Sequence, residues 1–167
     1  MLARLILLQR LPLSPSFGRL VLRIVVFLTM FLRHGTEKLF SFSLTLQHFN
    51  DPHRVIDPLH IGTFPTLVIA AIADGICSLL IMLGLATRWA ALFQTCSLFV
   101  VWSFVDHFET IHSPQGIPRG EPVVLYMGAC LALFFLGAGK FSIDGLIESA
   151  QENKRRVEPE QVSAARA

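Results

Sequence analysis

The sequence predicts an all-α fold: an integral membrane four-helix bundle, N-in/C-in, with a short amphipathic surface helix at each end. Three observations carry that expectation. Of the 167 residues, 53% are hydrophobic and 16% charged, whereas a soluble domain carries about 25% charged residues. Four apolar stretches, residues 17–40, 64–86, 88–107 and 122–140, approach or match the ~20 residues a helix needs to cross the hydrocarbon core. Lys and Arg gather on alternate connections, which orients the chain. Inside lipid every backbone polar group must be satisfied within its own segment, so the four stretches are read as helices packed on one another.

Residues 1–16 form the N-terminal cytoplasmic segment. Their apolar run is broken by Arg4 and Arg10 and no small-residue cleavage site follows, so they are not a signal peptide. Residues 2–11 read instead as an amphipathic helix on the membrane surface, stopped by Pro12 and Pro15. The transmembrane unit is residues 17–147, and 148–167 is a polar cytoplasmic tail. Arg4, Arg10 and Arg19 precede the first span, Arg88 lies between the second and third, and Lys140, Lys154, Arg155, Arg156 and Arg166 follow the fourth. This bias places both termini in the cytoplasm, and all six histidines then fall on the outer side. Trp89 and Trp102, ~20 Å apart along a helix, mark the two interfaces of span three.

Residues 41–63 and 108–121 are the outer loops, rich in turn signals such as "NDP". The inner connection "GLATR" (84–88) is short enough to make spans two and three an antiparallel hairpin. After span four, Gly137 and Gly139 weaken the helix end, Ser142 or Asp144 can cap a new helix, and Ile143, Leu146, Ile147 and Ala150 recur at helical spacing.

Span one ends in "FLTMFLRHGTEKLF" (27–40). On a 100° wheel Arg23, Phe27, Met30, His34 and then Glu37 with Lys38 share a stripe, so the helix is expected to continue to about Phe40 with that stripe inward. In span two Ala70, Ala71, Asp74, Cys77 and Ser78 share a face, small residues around one acid. The faces read for spans three and four are Cys96, Phe99, Ser103, Asp106, His107 and Glu121, Leu125, Gly128, Ala132, Gly139. Asp74 lies near mid-bilayer, where a charge costs roughly 2.5–3.5 kcal/mol on insertion scales. Arg23 is its expected partner, a pair that either fixes helix register or serves a function.

"RHGTEK", the acid of span two followed by "LGLATRWAAL", then "DHF…GEP" and "GAGKFSIDG" together resemble the DoxX family, in order, over residues 19–147. The resemblance implies a small four-helix bacterial membrane protein. Its relatives include subunits of quinone-linked sulfur oxidoreductases and partners in membrane-associated redox and thiol-stress complexes. It carries over Arg23, His34, Gly35, Lys38, Thr87, Arg88, His107, Glu121 and Asp144; the acid of span two is usually Glu in such sequences and is Asp74 here.

His34, Lys38, His107 and Glu121 come from three helix ends at similar depth, and are taken as the catalytic set. With Phe27, Met30 and Phe99 as walls they suit a quinone, whose carbonyls need hydrogen-bond donors and a proton carrier. Haem between His34 and His107, or a metal held by His48, Asp51, His53, Asp57 and His60, ranks behind, because neither spacing is diagnostic. No metal site is therefore expected. Dithiol chemistry is disfavoured: no C-x-x-C occurs, and Cys77, Cys96 and Cys130 lie within spans. "GAGK" lacks the spacer of a phosphate loop, and a net charge of +2 with no basic-aromatic patch argues against nucleic acid. The expected partners are membrane lipid and proteins of a redox complex. The competing readings are a non-catalytic membrane anchor or assembly partner, and a small-solute transporter, which four helices without an inverted repeat suit poorly.

Overall fold

The computed structural model describes residues 14–50, 56–106, 108 and 120–164. The described residues are helical and contain no strand. Helix α1 runs from Pro15 to Phe40, α2 from Phe42 to Phe49, α3 from Thr63 to Leu83, α4 from Thr87 to Val105, α5 from Glu121 to Leu136 and α6 from Ile143 to Ala164. The expected surface helix at residues 2–11 lies outside the described residues.

Three of these helices, α1, α3 and α4, are long and apolar enough to cross a membrane. The fourth apolar helix, α5, is shorter at 16 residues. It does not reach residue 140 as expected, because Gly137 at φ 69° and Gly139 at φ 82° turn the chain into the left-handed region that glycine tolerates. Span two likewise stops at Leu83, where Gly84 adopts φ 72°. Its carbon position is also taken: a Cβ at Gly84 would lie 1.8 Å from Arg23 Nη1. Helix α2 falls in a segment expected to be loop. Ser41 breaks the first helix at φ −115°, ψ 36°, and α2 then folds back so that the Phe42 ring meets Phe64 edge-on at 5.7 Å.

Consecutive long helices pack pairwise, α1 on α3, α3 on α4 and α4 on α5, and α5 returns to α1. The buried core is Phe27 and Met30 from α1, Cys77 and Ile81 from α3, Ala90, Ala91 and Leu98 from α4, and Cys130 and Leu133 from α5. The face read for span two is the one that is buried. Those of the last two spans are corrected. In α4 the buried face is Thr87, Ala90, Ala91, Gln94 and Leu98, while Cys96 and Phe99 are exposed. In α5 Leu125 and Gly128 face outward and Cys130 and Leu133 inward. That helix is apolar all round, so its sequence holds no amphipathic signal to read, and small residues alone misled.

Each of the three long helices contains one wide π turn: Phe31–Gly35 in α1, Ile72–Cys77 in α3 and Val101–Val105 in α4. In α1 the Thr36 N–H bonds to the Phe31 carbonyl, five residues back, as it does from Asp106 to Val101 at 3.0 Å. Such a turn inserts one residue into the helical register. Inward positions in α1 therefore run Arg23, Phe27, Met30 and then Gly35.

Candidate functional site

The π turns of α1 and α3 pack against each other, and glycine permits the approach. A Cβ on Gly35 would come within 2.7 Å of the Asp74 carbonyl oxygen and 3.0 Å of Gly75 Cα, closer than real Cβ atoms approach backbone. One turn beyond Gly35, Lys38 turns inward and forms an ion pair with the Asp74 carboxylate through Oδ2. The other oxygen, Oδ1, accepts from Gln94 Nε2 of α4 at 3.3 Å. Asp74 sits near the middle of the 21-residue helix α3 and is 7% exposed; Gln94 is fully buried. A carboxylate at that depth needs a compensating charge and hydrogen bonds, and Lys38 and Gln94 supply them. Two further buried polar atoms beside this cluster, Gln94 Oε1 and Ser78 Oγ, make no hydrogen bond, although Ser78 lies one helical turn from Asp74. Buried polar atoms are almost always paired, so unpaired ones next to an ion pair mark a place for water or ligand.

The expected pairing of Arg23 with Asp74 is thus corrected. Arg23 is fully buried but at the opposite end of α1, where its Nη2 donates to the Phe141 carbonyl. The compensating charge there is Asp144. Asp144 also joins three parts of the chain: its carboxylate accepts from the N–H groups of Ala86 at 2.8 Å and Thr87 at 2.9 Å, and its own N–H donates to the Gly84 carbonyl at 2.9 Å. It thereby caps α4 rather than its own helix. Helix α6 is capped by Ser142, whose Oγ accepts from Gly145 N at 3.0 Å. The absence of a Cβ at Gly84 leaves room for the Arg23 guanidinium, whose Nη1 lies where that carbon would stand.

Of the four residues taken as a catalytic set, the three that are described, His34, Lys38 and Glu121, are not joined to one another. Lys38 is drawn to Asp74. His34 is rotated outward by the π turn and exposed, with its ring edge-on to Tyr126 of α5 at 6.5 Å. Glu121 is exposed in the first turn of α5. His107 lies outside the described residues, so the haem pairing with His34 does too. No hydrogen bond or ion pair among the described residues joins His34, Lys38 and Glu121. The expected walls also separate: Phe27 and Met30 belong to the packed core, whereas Phe99 is half exposed and meets Trp102 at 6.3 Å. Gln94 was missed by sequence reasoning. Its one signal is its lone amide amid the apolar residues of span three.

Of the loop residues weighed as metal ligands, Asp51 and His53 lie outside the described residues. Asp57 is spent on structure. Its oxygens accept from Ile61 N at 3.2 Å, Gly62 N at 2.8 Å and Thr66 Oγ1 at 3.0 Å, bracing the start of α3. Desolvation acts to raise its pKa, but these hydrogen bonds and nearby His60 outweigh it and hold the carboxyl below its ordinary value. Among the described residues no three His, Cys, Asp or Glu side chains are grouped to hold a metal ion.

A family model described as DoxX matches residues 18–107, a segment that contains Arg23, Lys38, Asp74 and Gln94. No curated protein and no solved structure matches the chain. Asp144 lies beyond the matched segment, yet its bonds to Gly84, Ala86 and Thr87 tie the following residues to it.

Proposed function

From the premise that this chain belongs to the DoxX family of membrane proteins, we propose that it is a four-span, N-in/C-in subunit of a redox complex in a bacterial inner membrane. Its Lys38–Asp74–Gln94 cluster receives the head group of a quinone. The observation that carries this reading is an ion pair held mid-helix in apolar, span-length helices, with the neighbouring Gln94 Oε1 and Ser78 Oγ unpartnered. An ionisable group at such depth is costly, and one held inside span-length helices is a candidate site by default.

The residues suit both forms of such a ligand. The Lys38 ammonium has three N–H donors and gives one to Asp74, so two remain for a carbonyl oxygen. The Ser78 hydroxyl is a further donor, and Gln94 Oε1 is an acceptor for a hydroxyl of the reduced form. Lys38 keeps 18% of its side chain exposed and Asp74 10%, so the cluster is reachable from the flank of the helices. Asp74, adjoining Lys38, is positioned to accept a proton and pass it on. The quinone supplies the two-electron chemistry; the chain binds, orients and exchanges protons. The Lys38–Asp74 pair takes the part of the proton carrier that a quinone site needs.

The test is purification in mild detergent, followed by extraction and mass spectrometry of bound quinone and co-purifying proteins. Wild-type protein retains quinone, and Asp74→Asn and Lys38→Met lose it while remaining in the membrane. Protein that retains partners but never quinone, in wild type and variants alike, replaces this reading with that of an assembly subunit.

A further inference from the structure

The opposite end of the molecule holds an open groove of about 980 Å³ between α6 and the ends of α1, α4 and α5. Its charges are arranged by sign. Arg19, Arg88 and Lys140 line the side formed by the helix ends and the 137–140 loop; Asp144, Glu148 and Glu152, spaced four apart, line it from α6. Two arginines are held under glycines. A Cβ at Gly137 would lie 3.5 Å from Arg88 Nε and Nη2, and one at Gly139 would lie 3.1 Å from Arg19 Nε. Arg19 is further fixed by its bonds to the Leu136 carbonyl at 2.8 Å and Ser16 Oγ at 3.2 Å. Asp144 is committed to the N–H groups of Ala86 and Thr87. The side chains of Arg88, Lys140 and Glu148, by contrast, make no hydrogen bond or ion pair among the described residues.

The rim is apolar. Trp89 is 77% exposed, Leu136 55% and Leu146 66%; Trp89 stands in the first turn of the span-length helix α4 and Leu136 at the end of the apolar helix α5. A tryptophan at the end of such a helix belongs at headgroup depth. A soluble anion would match the cations but leave the rim and Glu148 unmatched.

We propose that this groove seats an aminophospholipid, its phosphate against Arg88, Lys140 and Arg19, its primary ammonium against Glu148, and its acyl chains leaving past Trp89 and Leu136. Basic recesses between span ends hold lipid phosphates elsewhere; the acid on the facing helix adds selection for a head group that also carries N–H donors. Phosphatidylcholine has methyl groups where those donors stand, and phosphatidylglycerol has no cation at all. The proposal is independent of the quinone reading, since the two sites lie at opposite ends of α1.

The experiment is native mass spectrometry of the full-length chain in detergent, titrated with phosphatidylethanolamine, phosphatidylcholine and phosphatidylglycerol of identical acyl chains. Wild type binds phosphatidylethanolamine about fivefold more tightly than either other lipid, one charged contact at a membrane surface being worth about that factor. Glu148→Gln removes the preference over phosphatidylcholine, Arg88→Gln weakens all three lipids, and Asp74→Asn changes none of these ratios. Equal binding of the three lipids by wild type, tightest binding of phosphatidylglycerol, or a preference unchanged in Glu148→Gln each overturns the proposal. Should either variant fail to fold, the ratios of the wild-type protein alone decide.

Discussion

Lys38 of the first helix and Asp74 of the third form an ion pair directly beyond the crossing at which Gly35 lies on the Asp74–Gly75 backbone. The two features depend on each other. The glycine contact brings the helices close enough for a lysine to reach a mid-helix carboxylate, and the contact is made where the π turns of the two helices pack on each other.

Breaking this pair from one side should cost more than removing both charges. Asp74→Leu leaves the Lys38 ammonium without its counterion, and Lys38→Leu does the same to the carboxylate. Each single change is expected to destabilise the protein by about 3–5 kcal/mol. The double replacement should recover at least ~1 kcal/mol of the summed loss. Thermal unfolding of the four proteins in one detergent completes the cycle, and simple additivity would remove the coupling.

The two crossing glycines should differ in their tolerance of a methyl group. Gly35→Ala drives its Cβ into backbone, the Asp74 carbonyl and Gly75 Cα, and should cost about 1–3 kcal/mol. Gly75→Ala meets the Leu39 side chain, at 2.6 Å from Cδ1, which can change rotamer. It should be milder, and Leu39→Ala in the same chain should relieve it. Equal losses for both glycines, read as melting temperatures, would contradict the close helix crossing.

Asp144→Ala removes the acceptor for two helix-terminal N–H groups and the compensating charge of buried Arg23. Loss of a cap costs about 1 kcal/mol, and the stranded guanidinium adds to it. Asp144→Asn keeps one acceptor oxygen and should fall between the two. Limited proteolysis following release of α6 from the 84–88 turn provides the readout; indistinguishable cleavage of wild type and Asp144→Ala would show that the clasp is not holding α6.

Asp57 makes the start of α3 sensitive to acid. Its folded pKa lies below the ordinary 3.8, so the stabilisation it supplies is complete above that value and is lost as pH falls through the folded pKa. Amide protection at Ile61 and Gly62, corrected for intrinsic exchange, should drop in that window. Asp57→Asn should lower protection at neutral pH and flatten the dependence; a variant that titrates like wild type would assign the effect to another group.

The proposed topology places residue 50 and both termini on opposite faces of the membrane. Reporter fusions after Asn50 should be active only outside the cytoplasm, and those after Lys154 only inside. The reverse pattern would invert every assignment of inner and outer ends.

Much was legible without coordinates. Apolar runs of span length announced the membrane helices, because hydrocarbon admits little else. Gly137 was legible as a weak point of the fourth helix and Ser142 as one of two candidate caps for the next, whereas the stop at Gly84 was not read, span two being expected to run to 86; a charge amid the apolar residues of α3 singled out Asp74 as a residue in need of a partner. The partner was decided only by the tertiary structure. A wheel at 100° per residue aligns His34 with Arg23, but the π turn at Phe31–Gly35 adds a residue to the register, carrying His34 outward and Gly35 inward. Which cation then reaches the acid depends on where two helices cross, and that is set by Gly35 and Gly75, 40 residues apart in the chain. Arg23, on the same stripe of the wheel, ends beneath Gly84 and bonded to Phe141, because α3 runs antiparallel to α1 and presents its far end, not its middle, at that depth. Periodicity reports which side of a helix is wet or dry; the pairing of charges between helices depends on depth and crossing angle, which no single segment encodes.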